Sequence, residues 1–176
     1  MDGSPGTFGP IMETVLSEPE LKGSTEASVE MFDLESGRRL VQPSIDYFDS
    51  RVDLIKGWIR SNSLDISCLV WKNGATCVTY DMTIVPVESK CWEQTTEQEL
   101  LDNPDVAPVT HSPRKLLILG DNKPNTYIFR TSEGTLGMLR IVGVAKGRQG
   151  VTIRYKLLNP PYPEVTKTIA AKSGQS

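Results

Sequence analysis

Histidine is nearly absent from this sequence, and with it the common arrangements for nucleophilic and metal catalysis. The chain of 176 residues has one histidine, His111, which is followed by Ser112. It contains neither the His-Glu-x-x-His pattern of zinc peptidases nor the Gly-x-Ser-x-Gly turn that exposes a nucleophilic serine. A small hydrolase-like enzyme would have to use His111, with Ser112 or a carboxylate as its partner. This alternative stays open, and no catalytic residue is assigned.

Cysteine is also scarce, and its spacing argues against a zinc site. Cys68, Cys77 and Cys91 contain no Cys-x-x-Cys pair, whereas zinc needs four well-spaced ligands or three with an open position. We therefore expect no metal and no cofactor. A two-residue turn at Asn73 and Gly74 would make Cys68 and Cys77 diagonal neighbours, with Cα atoms about 7–8 Å apart. This separation is too long for a disulfide, so all three cysteines are predicted to be buried thiols.

Long hydrophobic runs are missing as well. The longest apolar stretches, such as residues 115–120, are far shorter than the roughly 20 residues that a membrane-spanning helix needs. Residues 1–10 lack the basic region and the apolar core of a secretory signal. The sequence therefore predicts no membrane span and no export signal within this chain. A location outside the cytoplasm is expected only if the chain belongs to a longer membrane protein.

Charge is distributed unevenly along the chain, although the formal net charge is only -3. Residues 1–105 hold 19 acids and 8 bases, and residues 106–176 hold 3 acids and 11 bases, so the two parts carry about -11 and +8. In one compact domain such halves attract each other. The acidic pI of 5.3 makes nucleic acid an unlikely partner.

The C-terminal part of the chain carries the clearest strand pattern. Between residues 127 and 158, three β-rich segments are separated by turns that contain glycine, which predicts a β-meander. Residues 136–144 have apolar side chains on both faces, so this strand is expected at the centre of a sheet. Within it, Gly137 and Gly143 predict bulges or a close approach to the helix. Residues 151–157 alternate, which predicts one buried face and one wet face.

Periodicity and turn residues predict two helices and further strands elsewhere. An amphipathic helix at about residues 50–61 begins with Ser50 and Asp53, which are arranged like a capping box. A shorter helix at 95–101 has capping residues and acids in its first turn. The pair Asn73-Gly74 predicts a type I′ hairpin. The other predicted strands are residues 27–34, 39–42, 66–71, 77–87 and 116–119.

These elements predict an α+β fold, a predominantly antiparallel β-sheet with one main amphipathic helix and a C-terminal β-meander. The length favours a single domain, which we place at residues 7–158. Residues 1–6 and 159–176 are rich in proline, glycine and small polar residues, so both ends are predicted to be flexible tails.

The basic residues of the meander are the candidate ligand-binding residues. Four bases and one tyrosine are expected on adjacent strands, close to further aromatic residues; they are Arg130, Arg140, Arg154, Lys156 and Tyr155. Aromatic residues interleaved with bases bind single strands through stacking and charge neutralisation. The same alternation is typical of any half-buried sheet, so anion or nucleic-acid binding stays an alternative and not the first prediction.

Several segments share their residues and their order with a known module. They are TFGPIME (7–13), FDLESGR (32–38), WIRSN (58–62), DMTIVPV (81–87) with Trp92, YIFRTSEGTLGML (127–139) and GVTIRYK (150–156). The chain thereby resembles the C-terminal soluble region of planctomycete-type membrane metallopeptidases of the β-lactam-sensor type, and regions fused to extracytoplasmic-function sigma-factor proteins. The resemblance spans about residues 7–158 and names no functional residue.

The resemblance implies an accessory domain in envelope signalling or regulated proteolysis, with the peptidase chemistry carried by another part of the parent protein. Together with the missing catalytic sets, it predicts a non-enzymatic binding or sensing module. Its partner is expected to be another protein or the parent polypeptide.

Overall fold

Two five-stranded antiparallel sheets form the body of the fold. The computed structural model describes residues 7–17, 29–41, 52–71, 74–107, 115–119, 123–146 and 150–159. The first sheet has the strand order β1 (Met12–Ser17), β10 (Gly150–Leu157), β9 (Leu136–Val144), β8 (Thr126–Arg130) and β6 (Thr83–Val87). The second has the order β3 (Arg39–Val41), β2 (Glu30–Phe32), β4 (Ile66–Trp71), β5 (Gly74–Thr79) and β7 (Lys115–Ile118).

The inner faces of the two sheets pack against each other and form the main core, which includes Phe32, Ile66, Phe129, Leu139 and Ile153. Helices cover parts of the two outer faces. Helices α2 (Cys91–Gln94) and α3 (Glu97–Leu101), with a 3₁₀ turn at Pro104–Val106, pack on the first sheet, and α1 (Val52–Ser61) packs on the second. The α+β prediction and the predominance of antiparallel strands are thus confirmed.

The predicted C-terminal meander is present as β8, β9 and β10. Strand β9 is the third of the five strands in its sheet, as its two apolar faces predict. Leu139 and Ile141 face the second sheet, while Leu136 and Met138 face the helices. Burial on both faces of residues 136–139 explains why the first half of this strand has no polar side and why the sequence pattern located it correctly.

Glycine has two different roles in β9. Gly137 allows a close approach, because a Cβ atom there would lie 2.5 Å from the Phe129 ring and 2.7 Å from the Lys156 carbonyl oxygen. The neighbour is therefore a ring of the same sheet and not the predicted helix. Gly143, with φ +148, lies where the register of β9 and β10 shifts. Val142 is the extra residue of this bulge and is 52% exposed.

The single strand predicted at residues 77–87 is wrong. The chain leaves β5 at Thr79 and enters β6 at Thr83, and these strands belong to different sheets. Between them, Asp81 has the positive φ of 45°, which turns the backbone sharply. The residues before and after this turn are both partly apolar, because both strands contribute to the same core. Periodicity alone therefore does not reveal that the chain passes from the second sheet to the first.

Two edge strands also differ from the predictions. Strand β1 has no counterpart among the predicted strands, yet it pairs with β10 along six residues. Strand β7, which corresponds to the predicted strand 116–119, was expected to join the strands of the C-terminal meander. It pairs instead with β5 in the second sheet. Both differences arise because strand partners far apart in the chain leave no local signal.

The hairpin of β4 and β5 has a different register from the predicted one. Trp71 pairs with Gly74, so Gly74 already belongs to β5 and residues 72 and 73, which lie outside the described residues, connect the strands. In this register Cys68 lies directly opposite Cys77, with Cα atoms 4.0 Å apart, and the two form a disulfide. The prediction of buried free thiols is wrong for this pair. Cys91 is a free cysteine and is half-buried.

Helices α1 and α3 follow the predictions closely, whereas α2 was not predicted. In α1, Ile59 and Trp58 pack against the second sheet near Tyr80, as the amphipathic pattern indicates. Helix α3 begins with a complete capping box, in which the Thr96 hydroxyl accepts from the Glu99 amide and the Glu99 side chain accepts from the Thr96 amide. The predicted cap of Ser50 and Asp53 lies outside the described residues, because neither Ser50 nor the Asp53 side chain is described. The predicted tails 1–6 and 159–176 also lie outside them, except for Asn159, whose amide donates to the Thr7 carbonyl oxygen.

Candidate functional site

The strand register places two of the predicted ligand-binding residues side by side. On the outer face of the first sheet, Arg140 of β9 lies directly opposite Arg154 of β10. The row continues to Thr126 of β8 on one side and to Glu13 of β1 on the other. The sequence placed both arginines on neighbouring strands. The register pairs their backbone positions, whereas the Arg140 side chain reaches Thr126 of β8 and the Arg154 side chain reaches Glu13 of β1.

Three contacts hold the Arg140 guanidinium in place. Its Nη2 donates to the Ser89 carbonyl oxygen at 2.5 Å, and its Nε donates to the Thr126 hydroxyl at 3.3 Å. The guanidinium carbon lies 5.0 Å from the centre of the Trp92 ring, which is a cation–π distance. Asn125 accepts hydrogen bonds from the side chains of both Ser89 and Thr126. These contacts fix the orientation of the Arg140 side chain.

Arg154 lies on the more open side of the row. Its Nε donates to the Glu13 carboxylate, and its side chain is 48% exposed. Along β1, Ile11 and Val15 flank Glu13 and are 57% and 36% exposed. We refer to Ile11, Glu13, Val15, Arg140 and Arg154 as the arginine face. It combines exposed apolar side chains with two fixed cations.

Lys156 is next to this face but is not available to a ligand. Lys156 is buried, and its Nζ donates to the Trp92 carbonyl oxygen at 2.9 Å. Nζ also lies 4.0 Å from the centre of the Phe8 ring. Burial lowers the pKa of Lys156. The lysine therefore stabilises the packing of the N-terminal segment on the first sheet.

The other two predicted residues lie elsewhere. Arg130 donates to the carbonyl oxygens of Val106 and Gly134, so it supports two turns at the opposite end of β8. Tyr155 is on the inner face, with its ring 5.9 Å from that of Phe32. Tyr127 and Phe129 are buried in the same core. None of these three aromatic rings is exposed beside the arginines, so they offer no stacking surface to a nucleobase.

A second polar cluster, which the sequence did not reveal, lies at one end of the two sheets. Asp33 and Asp65 are both buried there. Asp33 accepts from the Glu35 and Ser36 amides and thereby shapes the turn between β2 and β3. Asp65 accepts from the Leu34 amide at 2.8 Å. Burial, with a smaller contribution from the negative charge of Asp33, raises the pKa of Asp65 to about 8.

Two glutamates connect the sheets at this acidic end. Glu35 follows β2 and Glu133 lies in the turn between β8 and β9, where each carboxyl group affects the pKa of the other. Burial raises the pKa of Glu35. The hydroxyls of Thr131 and Ser63 donate to Glu35 and Glu133, respectively. These partners explain the cluster as a structural link between turns of the two sheets.

In the sequence, Asp33 and Glu35 lie beside Ser36 and Gly37, a pattern typical of turn and surface residues. The turn is correct, and its Ser-Gly sequence is the signal for it. The burial of Asp33 had no such signal, because the segment of Asp65 that packs beside it is distant in the chain: the Asp65 amide donates to the Phe32 carbonyl oxygen. Among the described residues, no group of three or more side chains is arranged to hold a metal ion.

His111 and Ser112, the residues of the hydrolase alternative, lie outside the described residues. In the part of the chain that the structure describes, no helix is long and apolar enough to cross a membrane. Comparison of the chain with protein-family models, with curated proteins and with solved structures finds no match in any of the three. The resemblance to the soluble region of membrane metallopeptidases therefore stays a prediction.

Proposed function

We propose that this chain is a non-enzymatic protein-binding module that docks through the arginine face. The observation that carries this proposal is the exposure of Ile11 and Val15 on either side of Glu13, beside the two arginines, on a sheet face that helices cover only in part. Protein interfaces are enriched in arginine and combine apolar centres with polar rims. The partner is another protein or another part of the parent polypeptide.

The disulfide supports a location outside the reducing cytoplasm. Cys68 and Cys77 are both buried in the core between the sheets. Disulfides form and persist in oxidising compartments and are rare in the cytosol. An extracytoplasmic location agrees with a role in envelope signalling or regulated proteolysis, which the sequence resemblance implies.

Nucleic-acid binding by the same strands has less support than protein binding. Stacking needs exposed aromatic rings, but Tyr127, Phe129 and Tyr155 lie in the core. The hydrolase alternative depends on His111 and is tested by its replacement with alanine, which would abolish any hydrolytic activity of the chain. Unchanged turnover would remove that alternative.

A capture experiment tests the docking face. The chain is immobilised and exposed to a lysate of the native host, and bound proteins are quantified for the wild type and for a variant with Ile11→Lys and Val15→Lys. We expect a specific partner that the variant loses, because two ammonium groups disrupt an apolar contact. The matched control carries Val41→Lys and Leu101→Lys, which change equally exposed apolar residues outside the arginine face.

Thermal unfolding of each variant shows that the fold is retained. The control variant is expected to keep the partner. Capture of no protein above the bead background, or equal capture by the wild type and the Ile11/Val15 variant, would contradict the proposal.

A further inference from the structure

We infer that a pH-sensitive clasp joins the two sheets at their acidic end, closed while its buried carboxyl groups are protonated and open once they ionise. The clasp consists of Asp33, Glu35, Asp65 and Glu133. Its first three members belong to the second sheet, after β2 and immediately before β4, whereas Glu133 lies between β8 and β9 of the first sheet. The clasp shares no residue with the arginine face, so this inference is independent of the proposed docking function.

Hydroxyl groups on both sides connect the two sheets through the clasp. The Thr131 hydroxyl, which follows β8 of the first sheet, donates to the Glu35 carboxyl group of the second sheet. The Ser63 hydroxyl, which precedes β4 of the second sheet, donates to the Glu133 carboxyl group of the first sheet. Both of these bonds end on a carboxyl group of the clasp. A change that separates the carboxyl groups therefore also separates the turns of the two sheets.

The charges around the clasp do not balance when all of its carboxyl groups ionise. Arg38 lies 3.9 Å from the Asp33 carboxylate, and its charge also acts on Glu133. From β10, Tyr155 faces Asp33; burial raises the pKa of this phenol, so it stays neutral, and the charge of Arg39 acts on it. Four carboxylates thus outnumber these two arginines. Like charges at such short range favour the protonated form of at least one group.

Asp65 couples the opening of the clasp to the release of a proton. Burial raises its pKa to about 8, although the Leu34 amide, which donates to its carboxyl group at 2.8 Å, acts in the opposite direction. Water that enters the open clasp would return this pKa to about 3.9. Between these values, opening releases a proton, so the ratio of open to closed molecules rises by up to about tenfold per pH unit.

Glu35 changes the equilibrium in the same direction. Burial raises its pKa, and so does the neighbouring Glu133. The pKa of Glu133 is lowered by Glu35 and by the Ser63 hydroxyl, so Glu133 carries its charge before Glu35 does. Once Glu35 also ionises, the two carboxylates repel each other across the boundary between the sheets. Separation of the turns reduces this repulsion, so a rise in pH opens the clasp.

Distances across the clasp at two pH values test the inference. Nuclear Overhauser effects are measured by NMR between the side chains of Thr131 and Glu35, and between those of Ser63 and Glu133, at pH 5 and at pH 8. We expect both signals at pH 5 and their loss at pH 8, while the signals between β9 and β10 remain. Unchanged signals across the clasp would overturn the inference. Simultaneous loss of the β9–β10 signals would overturn it as well, because the whole fold would then unfold.

Variants assign the effect to the buried carboxyl groups. E35Q and D65N each keep an acceptor oxygen but cannot ionise, so each should move the loss of the signals to a higher pH, and E35Q/D65N should keep the signals at pH 8. Glu35 is only half-buried, so E35Q tests the clasp even if D65N perturbs the fold. E93Q changes an exposed glutamate outside the clasp and should respond like the wild type. The same midpoint for E35Q and the wild type contradicts the clasp.

Discussion

Cys68 and Cys77 lie directly opposite each other on β4 and β5, and their disulfide is buried between the two sheets. In antiparallel strands, directly opposite residues have Cα atoms as close as about 4.5 Å. The inner-face position means that the sulfur atoms are part of the main core. The disulfide therefore joins neighbouring strands at a place where solvent has no access.

Removal of this disulfide is expected to destabilise the fold. A bridge between residues separated by nine positions closes a short loop, which corresponds to about 2–3 kcal/mol of unfolding free energy in the chain-entropy description. The variant with Cys68→Ala and Cys77→Ala should show this loss in urea unfolding, while Cys91→Ala is a control with a smaller effect. Thiol titration of the unfolded, unreduced wild type should give one free thiol, and three would contradict the structure.

Gly137 and Gly57 form a matched pair for alanine substitution. A Cβ at Gly137 would lie 2.5 Å from the Phe129 ring and 2.7 Å from the Lys156 carbonyl oxygen, whereas at Gly57 it meets nothing within 4 Å. We expect G137A to lower the unfolding free energy by about 1–3 kcal/mol or more. In contrast, G57A should raise it by about 0.5–1 kcal/mol, because alanine favours the helix. Equal midpoints in urea unfolding would refute this contrast.

The correct predictions concern features that depend on short segments of the chain. The meander, the helix α1 and the capped start of α3 were predictable because turns, caps and periodicity depend on residues close together in the chain. The central position of β9 was predictable because both of its faces are apolar. In each case the signal and the structure involve the same short segment.

Pairing between distant segments produced the errors. The register of β4 and β5 was shifted because Asn73-Gly74 was interpreted as the turn itself, whereas Gly74 already pairs with Trp71. For the candidate site, the sequence identified Arg140 and Arg154 but not that they are opposite. It also grouped Tyr155 with them, although strand alternation places that ring on the inner face.

Thr79 offers a test of an unsatisfied buried hydroxyl. Among the described residues, its Oγ1 is the buried side-chain polar atom without a hydrogen-bond partner. A buried hydroxyl without a partner is unfavourable by about 1–3 kcal/mol, and valine has nearly the same shape. We expect T79V to keep or raise the unfolding free energy. The control T126V should lower it, because the Thr126 hydroxyl bonds Asn125 and Arg140. Destabilisation of both variants to the same extent would contradict the assignment.

Asp65 predicts a pH dependence of stability with a defined sign. Burial raises its pKa to about 8 in the folded chain, and an unfolded aspartate has a pKa of about 3.9. Between these values the folded state binds more protons than the unfolded state, so the unfolding free energy falls as the pH rises. The contribution of Asp65 is fully present below about pH 4 and is lost by about pH 8, with a slope of at most about 1.4 kcal/mol per pH unit.

The substitution D65N isolates this contribution. Asparagine keeps an oxygen that accepts from the Leu34 amide but does not ionise. Urea unfolding between pH 5 and 8 should therefore show a smaller decline of stability with pH in D65N than in the wild type, while E93Q, at an exposed glutamate, retains the decline. The Glu35–Glu133 pair titrates in both proteins and accounts for part of the slope that remains. Identical pH profiles for the wild type and D65N would show that Asp65 is ionised in the folded chain over this range.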